Sequence, residues 1–182
     1  MRWILWSLGG LVALGLVVYV IGLTLPQSHV ASVSARYAAS PDSLWISLTN
    51  VTAFPQWRTG VTRVELLPDE KGQAGWREVA GRDVITYRVV EQDAPRHLVA
   101  RIADPNLPYG GTWTYDLAPL ENGGTRVTIT ERGEVYNPIF RFVSRFFLGY
   151  TSTMEGVLRA LGTLHGESTA PEPTPIARPA SA

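Results

Sequence analysis

The sequence predicts an α+β protein in which a curved antiparallel sheet of about seven strands wraps on a long C-terminal helix. Two short helices follow the first strand, and a transmembrane helix precedes it. This prediction rests on three observations. Residues 3–25 carry no charged side chain. Segments between residues 61 and 135 alternate apolar and polar side chains, the period of a half-buried strand. Residues 139–164 repeat apolar side chains every three or four positions, the period of an amphipathic helix.

The uncharged N-terminal run is long enough to cross a membrane. As a helix, residues 3–25 would be about 34 Å long at a rise of about 1.5 Å per residue, and the hydrocarbon core of a bilayer is about 30 Å thick. A cleaved secretory signal has a shorter apolar core, of roughly 7–15 residues, with a cleavage site close behind. We therefore expect a retained anchor over 1–25, followed by a short linker over 26–30.

The charges that flank this run predict its orientation. Arg2 precedes the run, and Arg36 is the first cation after it. Positive charge favours the cytoplasmic side of a membrane. We expect a single-pass protein of the cell membrane, with its N-terminus inside and its domain on the extracytoplasmic side.

Composition limits the partners and the chemistry. The chain has 16 basic and 16 acidic residues and no long run of one sign, so we expect no nucleic acid partner. It has no cysteine, which excludes disulfides, thiolate catalysis and cysteine-ligated zinc. Residues 168–182 are rich in Pro, Ala, Ser and Thr, and we predict a disordered tail there. One domain over 31–167 remains.

Local signals order the elements of this domain. Residues 31–37 alternate as a first strand, and Ser40-Pro41 is typical of a helix start, with Ser40 as the cap. Residues 54–57 form a second short helical turn, and Asn137-Pro138 starts the C-terminal helix as Ser40-Pro41 starts the first. The remaining predicted strands are 61–67, 76–80, 83–92, 98–103, 112–117 and 126–135.

Four short segments occur along the domain in an order that is typical of one superfamily. They are 37–45 (YAASPDSLW), 54–57 (FPQW), 94–98 (APRHL) and 124–129 (GTRVTI). In this order they resemble the SRPBCC superfamily of START lipid-transfer domains, polyketide cyclases and birch-pollen-type allergens. The resemblance covers about residues 30–166 and is greatest to the bacterial polyketide cyclase/dehydrase-like group. It implies the helix-grip fold and a hydrophobic-ligand pocket, but it implies no reaction, because one fold hosts many functions.

A pocket in such a fold is lined by inward strand positions and the inner face of the last helix. For each lining candidate the alternative is an ordinary core residue, but an aromatic lining as a whole suits a sterol, acyl or polyketide-like ligand. The ligand-binding candidates are Trp76, Tyr87, Trp113, Tyr115, Ile129, Phe142, Phe146, Tyr150 and Met154.

Two carboxylates are weak catalytic candidates. Glu131 shares a strand face with Val127 and Ile129, and Glu78 shares one with Trp76. A buried carboxylate could act as a general acid or base, whereas the alternative is a solvated side chain on an edge strand. The three histidines are not spaced as metal ligands, and no Gly-rich phosphate loop occurs. We expect no metal and no cofactor.

At the start of the C-terminal helix, apolar side chains cover more of the helix surface than the single stripe of an amphipathic helix. Phe140 and Phe147 widen it, with Arg141 and Arg145 alongside. Aromatic side chains beside arginines suit a membrane interface. We predict membrane contact by these four residues, with burial under neighbouring loops as the alternative.

The sequence thus favours a membrane-tethered binding or transfer domain for a hydrophobic small molecule or lipid, held between sheet and C-terminal helix. A binding role is favoured over an enzymatic one. One alternative is a polyketide cyclase/dehydratase-like enzyme that uses Glu131 or Glu78. Another is an accessory protein that contacts another membrane protein.

Overall fold

The structure, a computed structural model, describes residues 2–121 and 123–175. Within these residues the strands are β1 (Ser28–Tyr37), β2 (Val61–Glu70), β3 (Gln73–Ala80), β4 (Asp83–Asp93), β5 (His97–Ile102), β6 (Tyr109–Pro119), β7 (Thr125–Val135) and β8 (Glu172–Pro173). They form one antiparallel sheet in the order β2-β3-β4-β5-β6-β7-β1-β8. The α+β class and the antiparallel sheet are confirmed.

The N-terminal helix α1 (Arg2–Thr24) precedes the domain. None of the helices in the described part of the chain combines the length and apolarity that crossing a membrane requires. The predicted transmembrane anchor therefore has no support from the structure. The linker is also shorter than predicted, because β1 begins at Ser28 and pairs with β7 from there.

Two short helices follow β1, as predicted. In α2 (Pro41–Thr49) the Ser40 side chain accepts from the N–H of Ser43, which satisfies one of the free donors at the helix start. A short 3₁₀ turn leads to α3 (Phe54–Trp57). Phe54 is buried, and α3 thereby holds the residue that follows it, Arg58, against the sheet.

The predicted single long C-terminal helix is wrong, since the segment is divided. It consists of α4 (Pro138–Val143), a π-helical turn (Ser144–Leu148) and α5 (Ser152–Leu164). Gly149 separates the last two, with φ 70° and ψ 180°, a conformation that is essentially restricted to glycine. The apolar spacing continues across this break. It therefore predicts one continuous helix, because the spacing of side chains contains no information on the φ and ψ angles of a single residue.

The predicted disorder from Ser168 onward is wrong for residues 168–175. Val33 of β1 pairs with Pro173 of β8, and the N–H of Thr174 donates to the Ser32 carbonyl at 2.8 Å. This segment is ordered because it completes the edge of β1, a contact that composition does not encode. The rest of the predicted tail lies outside the described residues.

The core lies between the concave face of the sheet and α2 and α5. Leu44, Val127, Ile129, Leu158 and Leu161 are fully buried there. A second, smaller cluster around Phe54 and Trp76 extends the core toward β2–β5. The candidate site lies where these two clusters meet.

Candidate functional site

A group of polar and aromatic side chains, the inner cluster, fills the middle of the concave face. Strands β3, β4 and β6 supply five of them from positions that alternate with solvent-facing ones, and the loop after α3 supplies the sixth. The inner cluster is Arg58, Trp76, Glu78, Tyr87, Trp113 and Tyr115. The free volume that these side chains leave is about 10 Å³. The protein's own side chains therefore occupy the centre of the predicted pocket.

An ion pair is buried in the inner cluster. Arg58 Nη1 donates to Glu78 Oε1 at 2.8 Å, and the indole N–H of Trp76 donates to the same oxygen at 2.8 Å. The Arg58 guanidinium lies 4.6 Å from the centre of the Phe54 ring, within range of a cation–π interaction. Glu78 is thus held by two donors and is poorly placed to exchange protons with a ligand.

Two tyrosines face this ion pair and stay neutral. Burial raises the pKa of Tyr115 to about 12, although the nearby Arg58 charge opposes the shift. Burial also raises the pKa of Tyr87 well above its ordinary value, and Glu78 adds to the effect. Both hydroxyls therefore offer a proton donor and an acceptor to a ligand.

Two buried donors near this pair have no hydrogen-bond partner within the described residues. They are Arg58 Nε and Trp57 Nε1. Buried polar atoms are normally paired, and each exception requires an explanation. A ligand oxygen that accepts from either group would supply the missing partner.

A second cavity, the mouth cavity, lies between the ends of β1, β6 and β7 and the α4–α5 junction. Its volume is about 150 Å³, and Glu131 and Tyr150 line it together with His29. The rings of His29 and Tyr150 are stacked, with centroids 3.9 Å apart. His29 Nε2 lies 3.8 Å from Glu131 Oε1, which is longer than a hydrogen bond.

The structure brings some of the predicted site residues together and separates others. Trp76, Tyr87, Trp113 and Tyr115 meet in the inner cluster, and Tyr150 lies at the mouth cavity. Ile129 and Met154 are fully buried core residues. Phe142 and Phe146 pack on each other, 4.9 Å between ring centres, and line neither cavity.

The residues predicted to contact a membrane also divide into two groups. Phe140, Phe147 and Arg145 are exposed. Arg141 turns toward the protein, where it donates to the carbonyl oxygens of Val135 at 2.9 Å and Gly22 at 3.3 Å. Its guanidinium therefore joins α1 to the end of β7.

Sequence reasoning missed Arg58 and His29. His29 had a signal, because it extends the inward alternation of Ala31 and Val33 backward by two residues. Arg58 had none, since it follows α3 in a loop that has no periodicity. As for metals, no group of three or more His, Asp or Glu in the described ranges is arranged to hold an ion.

Comparisons with known proteins agree with this architecture. The profile of the family described as polyketide cyclase/dehydrase and lipid transport matches residues 28–165. No curated protein sequence matches the chain.

Solved structures share the fold at low sequence identity. Norcoclaurine synthase from Thalictrum flavum has a TM-score of 0.61 at 12% identity, covering 81% of this chain and 91% of its own. A START superfamily protein from Mycobacterium smegmatis has a TM-score of 0.59 at 17% identity, covering 73% and 94%. Zhui aromatase/cyclase from Streptomyces sp. R1128 has a TM-score of 0.57 at 14% identity, covering 74% and 91%.

Proposed function

Since the chain belongs to the family of polyketide cyclases, dehydrases and lipid-transport proteins, we propose that its domain binds and carries a hydrophobic small molecule or lipid between the sheet and α5. The observation that carries this proposal is the inner cluster. There a buried ion pair and two neutral tyrosines lie among tryptophan rings. Ligand sites typically combine apolar walls with a few polar groups that fix orientation.

The cost of this arrangement supports a functional role for it. A well-packed apolar core would often be as stable as a buried ion pair, or more stable. Arg58 Nε and Trp57 Nε1 have no partner in the part of the chain that the structure describes, which adds a further cost. We propose that an oxygen atom of the ligand accepts hydrogen bonds from these donors. The apolar part of the ligand then displaces side chains that now fill the interior.

The α4–α5 junction is the proposed route of entry. The inner cluster leaves little free volume, so a ligand enters only if part of the wall moves. The π-helical turn and Gly149 form the one break in the helical wall between Pro138 and Leu164. This break borders the mouth cavity, to which Ser144 and Gly149 contribute.

Native mass spectrometry of the full chain, purified in a mild detergent, tests the proposal. We expect a co-purified lipid-sized mass, or uptake of added oleic acid. The double variant Arg58→Met/Glu78→Met should lose most of this binding, whereas the exposed pair variant Arg63→Met/Glu65→Met should keep it. A chain that stays empty after purification and after oleic acid challenge would rule the proposal out.

We further propose that the protein acts at the cell membrane, with its domain on the extracytoplasmic side. Support comes from apolar side chains of α1 that the domain does not cover, such as Trp3 at 87% exposure and Trp6 at 79%. Large exposed apolar surfaces mark interaction sites. Cell fractionation and protease treatment of intact cells test this location. Recovery of the chain in the soluble fraction would contradict it.

A second candidate function is enzymatic. Glu131 favours it, because its carboxylate reaches the mouth cavity, whereas two donors already hold Glu78. In a cyclase or dehydratase of polyketide-like substrates, Glu131 would accept the proton. Turnover of such a substrate that the Glu131→Gln variant abolishes would establish this role.

A further inference from the structure

The mouth cavity is a built site that is distinct from the inner cluster. Its lining combines four rings with two carboxylates and, among the described residues, contains no lysine or arginine. These groups are His29, Tyr109, Glu131, Glu134, Phe140 and Tyr150. A cleft of about 150 Å³ that two carboxylates line attracts positive charge.

The position of His29 depends on a space that Gly133 leaves open. The two residues are directly opposite in the β1–β7 pairing. A Cβ atom on Gly133 would collide with the His29 ring at Cε1 and Nε2. With glycine there, the imidazole lies across the sheet, stacks on Tyr150 and turns Nε2 toward Glu131.

The His29 imidazole and the Glu131 carboxylate face each other but form no hydrogen bond with each other. His29 Nε2 is buried and has no hydrogen-bond partner within the described residues. Glu131 Oε1 is the nearest charged atom, but 3.8 Å separates the two. A hydrogen-bonding group that lies to one side of both atoms, on the cavity side, can reach each of them at about 2.8 Å, the ordinary hydrogen-bond length.

The hydrogen-bonding chemistry of His29 and Glu131 determines which ligand group can bind beside them. A carboxylate only accepts hydrogen bonds, and a neutral imidazole nitrogen without its proton accepts one. A primary ammonium has three N–H donors and serves two acceptors at once. Tyr109, Phe140 and Tyr150 also line the cavity, and aromatic rings attract cations.

We propose that the mouth cavity binds an organic cation through a primary ammonium group held between Glu131 and His29. The site goes beyond the proposed carriage of a hydrophobic ligand, since it uses none of the inner-cluster residues. Its volume corresponds to about five water molecules at about 30 Å³ each, which is the size of a short alkyl ammonium. The same chemistry occurs in a free amine and in an ethanolamine lipid headgroup.

Isothermal titration of the full chain in non-ionic detergent tests the site. The probes are n-butylammonium, its neutral counterpart 1-butanol, and lysophosphatidylethanolamine with lysophosphatidylcholine as its quaternary counterpart. We expect saturable binding of n-butylammonium and none of 1-butanol. If lysophosphatidylethanolamine binds more strongly than both n-butylammonium and lysophosphatidylcholine, the ammonium group belongs to a lipid headgroup. If it does not, the ligand is a free amine.

Variants separate this site from a general effect of charge. Glu131→Gln keeps the shape of the side chain and should weaken n-butylammonium binding at least tenfold. His29→Phe should weaken it as well, whereas the exposed Glu172→Gln should leave it unchanged. Equal heats for n-butylammonium and 1-butanol, no heat from any probe, or unchanged binding in Glu131→Gln would each overturn the proposal. Oleic acid binding by Glu131→Gln reports separately on the inner cluster.

Discussion

Arg58 and Glu78 form a buried ion pair whose members can be removed one at a time. Their charged atoms lie 2.8 Å apart, and both side chains are almost fully buried. Arg58→Met leaves the Glu78 carboxylate buried without its counter-charge. We expect a loss of about 3–5 kcal/mol in the free energy of unfolding, measured by urea denaturation of the full chain.

The double variant Arg58→Met/Glu78→Met removes both charges and should regain most of that loss. The matched control is the exposed pair Arg63 and Glu65, 3.0 Å apart. Arg63→Met should cost less than about 1 kcal/mol, because water screens exposed ion pairs. If Arg58→Met cost no more than Arg63→Met, the buried pair would not stabilise the fold.

His97 makes stability depend on pH. Its Nδ1 lies 2.7 Å from Asp116 Oδ1 and its Nε2 lies 3.4 Å from Glu91 Oε2. The hydrogen bond to Asp116 raises the pKa of His97 above its ordinary value, with Glu91 adding to the shift. Protonation therefore favours the folded state, so the contribution is complete below pH 6.5 and is lost as the pH rises through the raised pKa.

We expect His97→Gln to lower the free energy of unfolding more at about pH 5.5 than at about pH 9. The difference is small, since the histidine is partly exposed and water screens its charge. Urea denaturation of both proteins at the two pH values measures it. Equal destabilisation at both pH values would contradict the assignment.

At the scale of elements, two glycines at the C-terminal helices have opposite roles. Gly149, with φ 70° and ψ 180°, ends the π-helical turn. An alanine there is strained, and Gly149→Ala should destabilise the protein by about 1–3 kcal/mol. Gly156 lies within α5, where an added Cβ meets nothing within 4 Å. Gly156→Ala should stabilise by about 0.5–1 kcal/mol through higher helix propensity.

Thermal unfolding of the two variants side by side checks this pair of predictions, because the chemical change is the same in both. A stabilising Gly149→Ala would mean that the helix runs on through the junction, as its side-chain periodicity alone predicts. Such a result would also remove the proposed route of ligand entry.

At the scale of the whole molecule, Arg141 sets how α1 is held against the domain. Its guanidinium donates to Gly22 in the last turn of α1 and to Leu25 just after it, and also to Val135 at the end of β7 and to Tyr136 just after it. A cation at a helix C-terminus also complements the helix dipole. We expect Arg141→Gln to increase the rate at which a protease cleaves residues 25–27.

The exposed neighbour Arg145 provides the control, since Arg145→Gln should leave that cleavage rate unchanged. A rate that does not differ between the two variants would show that other contacts hold α1. Those contacts include the packing of Gly22 against Pro138 of α4.

The alternation of side chains determined the sheet and its inward faces, because a strand's period of two is a local property. It placed Glu131 on the face of Ile129 and Glu78 on that of Trp76, and the contacts agree. Cap residues such as Asn137 marked helix starts for the same reason, since their hydrogen bonds reach only two or three residues along the chain.

Only the tertiary structure decided what those inward faces meet. The stacking of His29 on Tyr150 and the pairing of Arg58 with Glu78 join segments that no local pattern connects. The break at Gly149 follows from a backbone angle that apolar spacing does not reveal. The sequence by itself therefore determined β1 to β7, the helix starts and the buried sides of the strands. Packing between distant segments decided β8, the break in the C-terminal helix and the two cavities, because contacts across the fold depend on all the elements at once.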